Sequence, residues 1–106
     1  MILAKFHPAI NSILRAFPED VRKEIGKAIF ELQKGTRLAM PLSRPMSDVG
    51  PNVHEIRVKD RSGAYRVFYI TVSANGVYVF HAFKKTTQKT SKKDIQLGQK
   101  RLREIL

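Results

Sequence analysis

Residues 53–93 contain Arg57, Arg66, His81, Lys84 and Lys85 but only two acids, Glu55 and Asp60. These side-chain types suit metal-free chemistry on a phosphodiester. A guanidinium holds phosphate oxygens through paired hydrogen bonds and offsets negative charge that grows in a transition state. Histidine transfers protons near neutral pH, and lysine can do so when surrounding positive charge depresses its pKa. RNA supplies its own nucleophile, the 2′-hydroxyl. Attack by that oxygen would leave a 2′,3′-cyclic phosphate and a 5′-hydroxyl. Arg57, Arg66, His81, Lys84 and Lys85 are therefore the candidate catalytic residues. Lys59, Arg61, Lys89, Lys92 and Lys93 are candidates for contacting the phosphate backbone, which needs charge but no base-reading geometry.

Each candidate has a plainer alternative. Arg66 could pair with Glu55 or cap the sheet edge, and Glu55 could serve to orient Arg57. His81 lies between Phe80 and Ala82, as a satisfied core histidine would. Tyr65, Tyr69 and Tyr78 suit packing better than acid catalysis. Strand register decides whether Arg57 and His81 share a face with Arg66, and register is not written in the sequence.

Other chemistries lack material. The chain has no cysteine, which excludes thiolate nucleophiles, disulfides and cysteine-ligated metals. His7, His54 and His81 form no close ligand pair, and the dispersed glycines form no phosphate-binding loop. Carboxylates are too scarce near the basic segment for two-metal catalysis. No metal or cofactor is expected. A net charge of +11 on 106 residues favours a polyanionic partner. The densest stretch, Lys84–Lys93, holds five lysines and no acid, with Thr and Ser between them. No apolar run reaches the roughly 20 residues of a membrane span, and the N-terminus lacks a signal-peptide layout. A cytoplasmic protein without membrane association is the expectation.

These side chains need a scaffold. Residues 2–6 suit an edge strand. Ile10, Ile13, Leu14 and Phe17 recur at helical spacing after Pro8. Pro18, Glu19 and Asp20 suit the start of a second helix, which carries the stripe Val21, Ile25, Ala28, Ile29 and Leu32 and ends near Lys34-Gly35. Residues 36–52 have no clean period, yet Leu38, Met40, Leu42, Met46 and Val49 suggest a segment that packs down, with room for a short strand or turn. Val53–Lys59 alternates, Asp60–Gly63 reads as a turn, and Ala64–Val72 is rich in aromatic and β-branched residues. Asn75-Gly76 signals a hairpin into Val77–Phe83. Ser91 and Asp94 form a plausible capping box for a last helix with Ile95, Leu102, Ile105 and Leu106 as apolar contacts. The expectation is a single α+β domain over 1–106. It has a helical hairpin, an antiparallel sheet and a C-terminal helix, with helices on one sheet face and the other face free for contacts.

Three ordered segments carry a family likeness. They are Glu55-Ile56-Arg57, Gly63 to Tyr69 (GAYRVFY), and Val77 to Thr90 (VYVFHAFKKTTQKT). Together with Phe17 to Gly26 (FPEDVRKEIG), Asp94-Ile95 and Lys100-Arg101, they resemble the phage-derived, HigB-like branch of the RelE/ParE toxin superfamily. The resemblance implies a RelE-like two-layer toxin, neutralised by a cognate antitoxin that often carries a helix-turn-helix domain. It further implies a ribosome-dependent endoribonuclease that cleaves translated mRNA without metal, so the ribosome and mRNA join the expected partners. ParE-like members share the fold but act on gyrase, and a non-enzymatic nucleic-acid-binding or regulatory module is the third alternative. Some members use a late tyrosine. Nothing after Tyr78 is a tyrosine here, so that role would fall to His81 or a lysine. Ser91 stands where the branch often has proline.

Overall fold

The computed structural model describes residues 1–72 and 76–105. Strand β1 (Ala4–Phe6) leads through a single 3-10 turn at Pro8–Ile10 into helices α1 (Asn11–Ala16) and α2 (Glu19–Gln33). Strand β2 (Ser43–Pro45) precedes the meander of β3 (Val53–Asp60), β4 (Gly63–Val72) and β5 (Gly76–Lys85), and α3 (Lys92–Ile105) closes the described chain. The five strands form one sheet in the order β1-β5-β4-β3-β2. Of the expected hairpin signal, Asn75 lies outside the described residues, as does Leu106.

The α+β architecture follows the hydrophobic patterns, with three corrections. The sheet is mixed rather than antiparallel, because β1 runs parallel to β5. A strand of three residues carries no mark of its direction; here it is set by where the helical hairpin must lie. The unperiodic 36–52 segment contributes β2, which pairs antiparallel with β3 through Ser43↔Ile56, Arg44↔Glu55 and Pro45↔His54. Finally, helices lie on both sheet faces.

The alternation of β4 explains the third correction. Tyr65, Val67 and Tyr69 face α1 and α2, where they join Val21, Ile25, Ala28, Ile29 and Leu32 in one buried cluster. Phe68 and Ile70 point the other way and join Phe80, Phe83, Val53, Met46 and Val49 beneath Leu102 of α3. The C-terminal helix thus covers part of the second face. Its start is fixed by Ser91, whose Oγ accepts from the Asp94 backbone N–H at 3.2 Å and donates to the Asp94 carboxylate at 2.8 Å.

Register along β4–β5 is not uniform. Phe68 pairs with His81 while Tyr69 pairs with Val79, leaving Phe80 as the extra residue of a β-bulge. Beyond it, Ala82 joins the α2-side cluster and Phe83 the α3-side cluster. Side-chain parity in the second half of β5 is therefore shifted by one.

Close approach of α3 to the sheet depends on Gly98. A Cβ there would lie 2.8 Å from Phe68 Cδ2 and 3.1 Å from Val49 Cγ1. Phe68 is fully buried and its ring cannot swing aside. Gly98→Ala is expected to destabilise the protein by about 1 kcal/mol in denaturant titration, because overpacking of about 1–3 kcal/mol outweighs the roughly 1 kcal/mol gained in helix propensity. An increase in stability would contradict this packing account.

Candidate active site

On the second face, α3 stops short of the end where β3, β4 and β5 carry charge. Arg57 lies directly across from Arg66 in the β3–β4 register, and Arg44 lies across from Glu55 on β2. Two like charges directly opposed on neighbouring strands repel, so an anion is needed between them. Glu55 supplies it. Its carboxylate is buried, with Oε1 3.6 Å from the Nε of both Arg57 and Arg66.

Those distances make ion pairs but not hydrogen bonds. Oε2 of Glu55 and the Nε atoms of Arg57 and Arg66 are buried without a hydrogen-bond partner. Arg66 gains one bond, donated from its terminal nitrogen to the carbonyl of Tyr65 at 3.1 Å. Burial pushes the Glu55 carboxyl above the ordinary range, although Arg66, Arg57, Lys85 and Arg44 all pull it down. Burial likewise lowers the pKa of Arg66, with Glu55 opposing and Arg57 and Arg44 adding to the drop. Lys85 belongs to the same group. Desolvation and then the charge of Arg66 lower its pKa, while Glu55 resists. The group is thus one buried acid enclosed by cations, with donor capacity left over.

The structure brings Arg57, Arg66 and Lys85 together and separates Lys84 from them. Lys84 lies on the opposite face, with its ammonium 5.9 Å from the centre of the Tyr65 ring. His81 shares the face of Arg66, but α3 occupies both its nitrogens. Nε2 is 2.9 Å from Asp94 Oδ1, and Nδ1 is 2.7 Å from an Arg101 guanidinium nitrogen. Because Arg101 can only donate, Nδ1 accepts and Nε2 carries the proton. His81 is a buried, hydrogen-bonded histidine that fastens α3 to β5. Lys59, Arg61, Lys89, Lys92 and Lys93 are exposed, on β3, the β3–β4 turn, the β5–α3 connection and the first residues of α3.

Arg44 was not legible in the sequence, whereas the pairing of Glu55 with Arg66 and its contact with Arg57 are as expected. Arg44 sits in a segment without periodicity, and only the β2–β3 register brings it to Glu55. The tyrosines act in packing, as expected: Tyr65 lies against Phe17, and Tyr69 bonds Ser43 Oγ at 2.6 Å. A cleft of about 600 Å³ opens on the α2 side beside His54 and Tyr69, away from the cation cluster. Among the described residues, no group of three His, Cys, Asp or Glu could hold a metal, and no helix is long and apolar enough to cross a membrane.

Two tests follow from this geometry. His81 has its pKa lowered by burial first, with Arg101 reinforcing and Asp94 opposing. The unfolded chain therefore binds a proton more readily than the fold does. Stability from this site is complete above the ordinary value of about 6.5 and is lost as pH falls below it towards the lower folded value. Thermal midpoints measured from pH 7.5 to 5.5 should fall more steeply for the parent than for His81→Gln; parallel profiles would refute the assignment. Glu55→Gln should destabilise the protein by about 3 kcal/mol, because it leaves the buried Arg66 guanidinium and its neighbour Arg57 without their counter-charge. Phosphate affinity, measured by calorimetry, should rise about tenfold, or about 1.4 kcal/mol. Unchanged phosphate affinity would show that Glu55 does not act as a resident counter-anion.

Residues 12–103 match the family described as Phage derived protein Gp49-like (DUF891). Among curated proteins, no sequence matches. The fold is similar to a chain of the intact E. coli RelBE toxin-antitoxin complex, with TM-score 0.59 and 22% identity over 82% of this chain and 100% of that one. It is also similar to a double mutant of E. coli toxin RelE in the free state, with TM-score 0.59 and 17% identity over 99% of this chain and 98% of that one. The isolated E. coli RelE toxin gives TM-score 0.57 and 20% identity over the full length of both chains. At these identities the likeness concerns the fold, while the family match spans most of the sequence. The chain belongs to the Phage derived protein Gp49-like family and shares the fold of the E. coli RelE structures.

Proposed function

We propose that the protein is the toxin of a toxin–antitoxin pair and acts as a metal-independent endoribonuclease on mRNA engaged by the ribosome. The observation that carries this reading is the convergence of Arg57, Arg66 and Lys85 around buried Glu55, with guanidinium nitrogens unpartnered. A phosphodiester would meet the exposed part of the Arg57 side chain, while the Nε atoms of both arginines stay buried against Glu55. Arg57 and Arg66 would hold the scissile phosphate and offset the charge of its transition state. Lys85, with its pKa depressed, is the group best placed to take the 2′-hydroxyl proton. The 2′-oxygen then bonds to phosphorus, the bond to the 5′-oxygen breaks, and water protonates the departing alkoxide.

The ribosome enters through the superfamily likeness, and the +11 charge suits docking on ribosomal RNA. Exposed Lys59, Arg61, Lys89, Lys92 and Lys93 are the proposed docking cations. An antitoxin partner is proposed because a similar chain occurs in the RelBE toxin-antitoxin complex. A helix-turn-helix domain in that antitoxin and a cytoplasmic setting belong to the same proposal.

The test is primer extension on ribosomes programmed with a defined mRNA, alongside naked mRNA. Cuts should appear only with ribosomes. Arg66→Ala and Lys85→Ala should each lower the cleavage rate by about 10²-fold or more, the scale of losing a transition-state donor. Lys84→Ala, on the opposite face, should lower it far less. If folded protein makes no cuts on competent ribosomes, the reading fails, and gyrase inhibition or binding without cleavage becomes the better account.

A further inference from the structure

The cation cluster continues one row further along the sheet. Arg57, Arg66 and Phe83 lie in one row across β3, β4 and β5, and Lys59, Ala64 and Lys85 lie in the next. Residues two apart on a strand share a face, so Lys59 and Lys85 stand on the face of Arg57 and Arg66. Ala64 separates the two lysines in that row, and its methyl group is all that stands between them. A short side chain between two long ones leaves a shallow seat. Ammonium groups flank it, and the Arg57 side chain, 27% exposed, lies at its back.

One member of this seat is a nucleophile. Lys85 is half-buried, and desolvation together with the charge of Arg66 lowers its pKa against the pull of Glu55. At a given pH more of it is the neutral amine than of an exposed lysine, and only the neutral amine attacks a carbonyl carbon. Lys84 is the contrast, exposed on the opposite face with its ammonium over the Tyr65 ring. An amine beside an anion seat suits a reagent in which a carbonyl carbon is bonded to a phosphate oxygen. We propose that Lys85 is a modification site for acyl phosphates, the mixed anhydrides of a carboxylic acid and phosphoric acid. The phosphate rests on Arg57 and Lys59. The Lys85 Nζ bonds to the acyl carbon, the bond from that carbon to the phosphate oxygen breaks, and the surplus proton of the amine leaves on the phosphate. The amide product is uncharged, so the modification removes one cation from the cluster. It also occupies the amine that the nuclease reading assigns to proton transfer, but the acylation itself does not depend on that reading.

The full chain is incubated with acetyl phosphate near neutral pH, the remaining lysines are capped with deuterated acetic anhydride, and mass spectrometry reads the extent of reaction at each lysine. Lys85 should react about tenfold faster than Lys84, Lys89, Lys92 or Lys93, the effect of holding the reagent beside the amine. With p-nitrophenyl acetate, an acyl donor without charge, that advantage should shrink severalfold. Added inorganic phosphate should slow Lys85 and spare the other lysines. Arg57→Gln should lower the acetyl phosphate advantage towards that of the ester. Lys59→Gln, at an exposed position, should do the same and covers the case in which Arg57→Gln does not fold. Equal rates at Lys84 and Lys85 overturn the site. So does a Lys85 advantage of the same size with the ester, or one that both substitutions leave undiminished. Selective acetylation of Lys85 in a protein that makes no cuts on ribosomes would keep the site and remove the nuclease reading.

Discussion

The second face of the sheet cannot be uniform, and most of the molecule is arranged around that constraint. Along β4, one parity carries Arg66, Phe68 and Ile70 in succession. Phe68 and Ile70 require an apolar cover, which α3 provides with Leu102 and a close approach at Gly98. Arg66 cannot go under the same cover without a counter-charge. The helix therefore ends its coverage where the charges begin, and the boundary between the two halves defines the site. On the α2 side no such division is needed, because Tyr65, Val67 and Tyr69 all enter one apolar cluster.

Glu55 makes the charged half tolerable. Removing a carboxylate from water is expensive, and its cationic neighbours return only part of that cost when the contacts lack hydrogen bonds. The unpaired Glu55 Oε2 and the two arginine Nε atoms record the incomplete match. Such an arrangement adds little to stability, but it keeps guanidinium groups fixed and incompletely satisfied before any ligand arrives. Pre-set donors need little reorganisation when charge develops, which is the property an anion-stabilising site requires.

Much of the scaffold was legible in the sequence because its patterns are long. The α2 stripe, the alternation of β3, the aromatic and β-branched run of β4 and the Ser91–Asp94 cap each repeat a local rule over several residues. The short strands were not legible in the same way. Three-residue β1 could not reveal its parallel pairing, and Ser43-Arg44-Pro45 shows no period at all. The charged residues were visible as types, while their grouping depended on register. Arg57 and Arg66 meet because the β3–β4 turn places them opposite each other. His81 shows the limit most clearly: its residue type suits proton transfer, yet Asp94 and Arg101 on α3 occupy both its nitrogens. Their contribution comes from tertiary packing across the sheet.

The bulge at Phe80 has a consequence for how this sequence tolerates insertions and deletions. By shifting parity, it turns Lys85 towards Arg66 and sends Lys84 to the Tyr65 side. Losing Phe80 would leave the pairs from Ala64↔Lys85 to Phe68↔His81, and Tyr69↔Val79 beyond them, as they are, so Lys85 would stay with the cluster. The bulge thus absorbs one residue of length without moving the charged end of β5. A length change that would scramble most strands would here preserve both the charge of the site and the seat of His81, at the cost of the Phe80 ring in the core beneath α3.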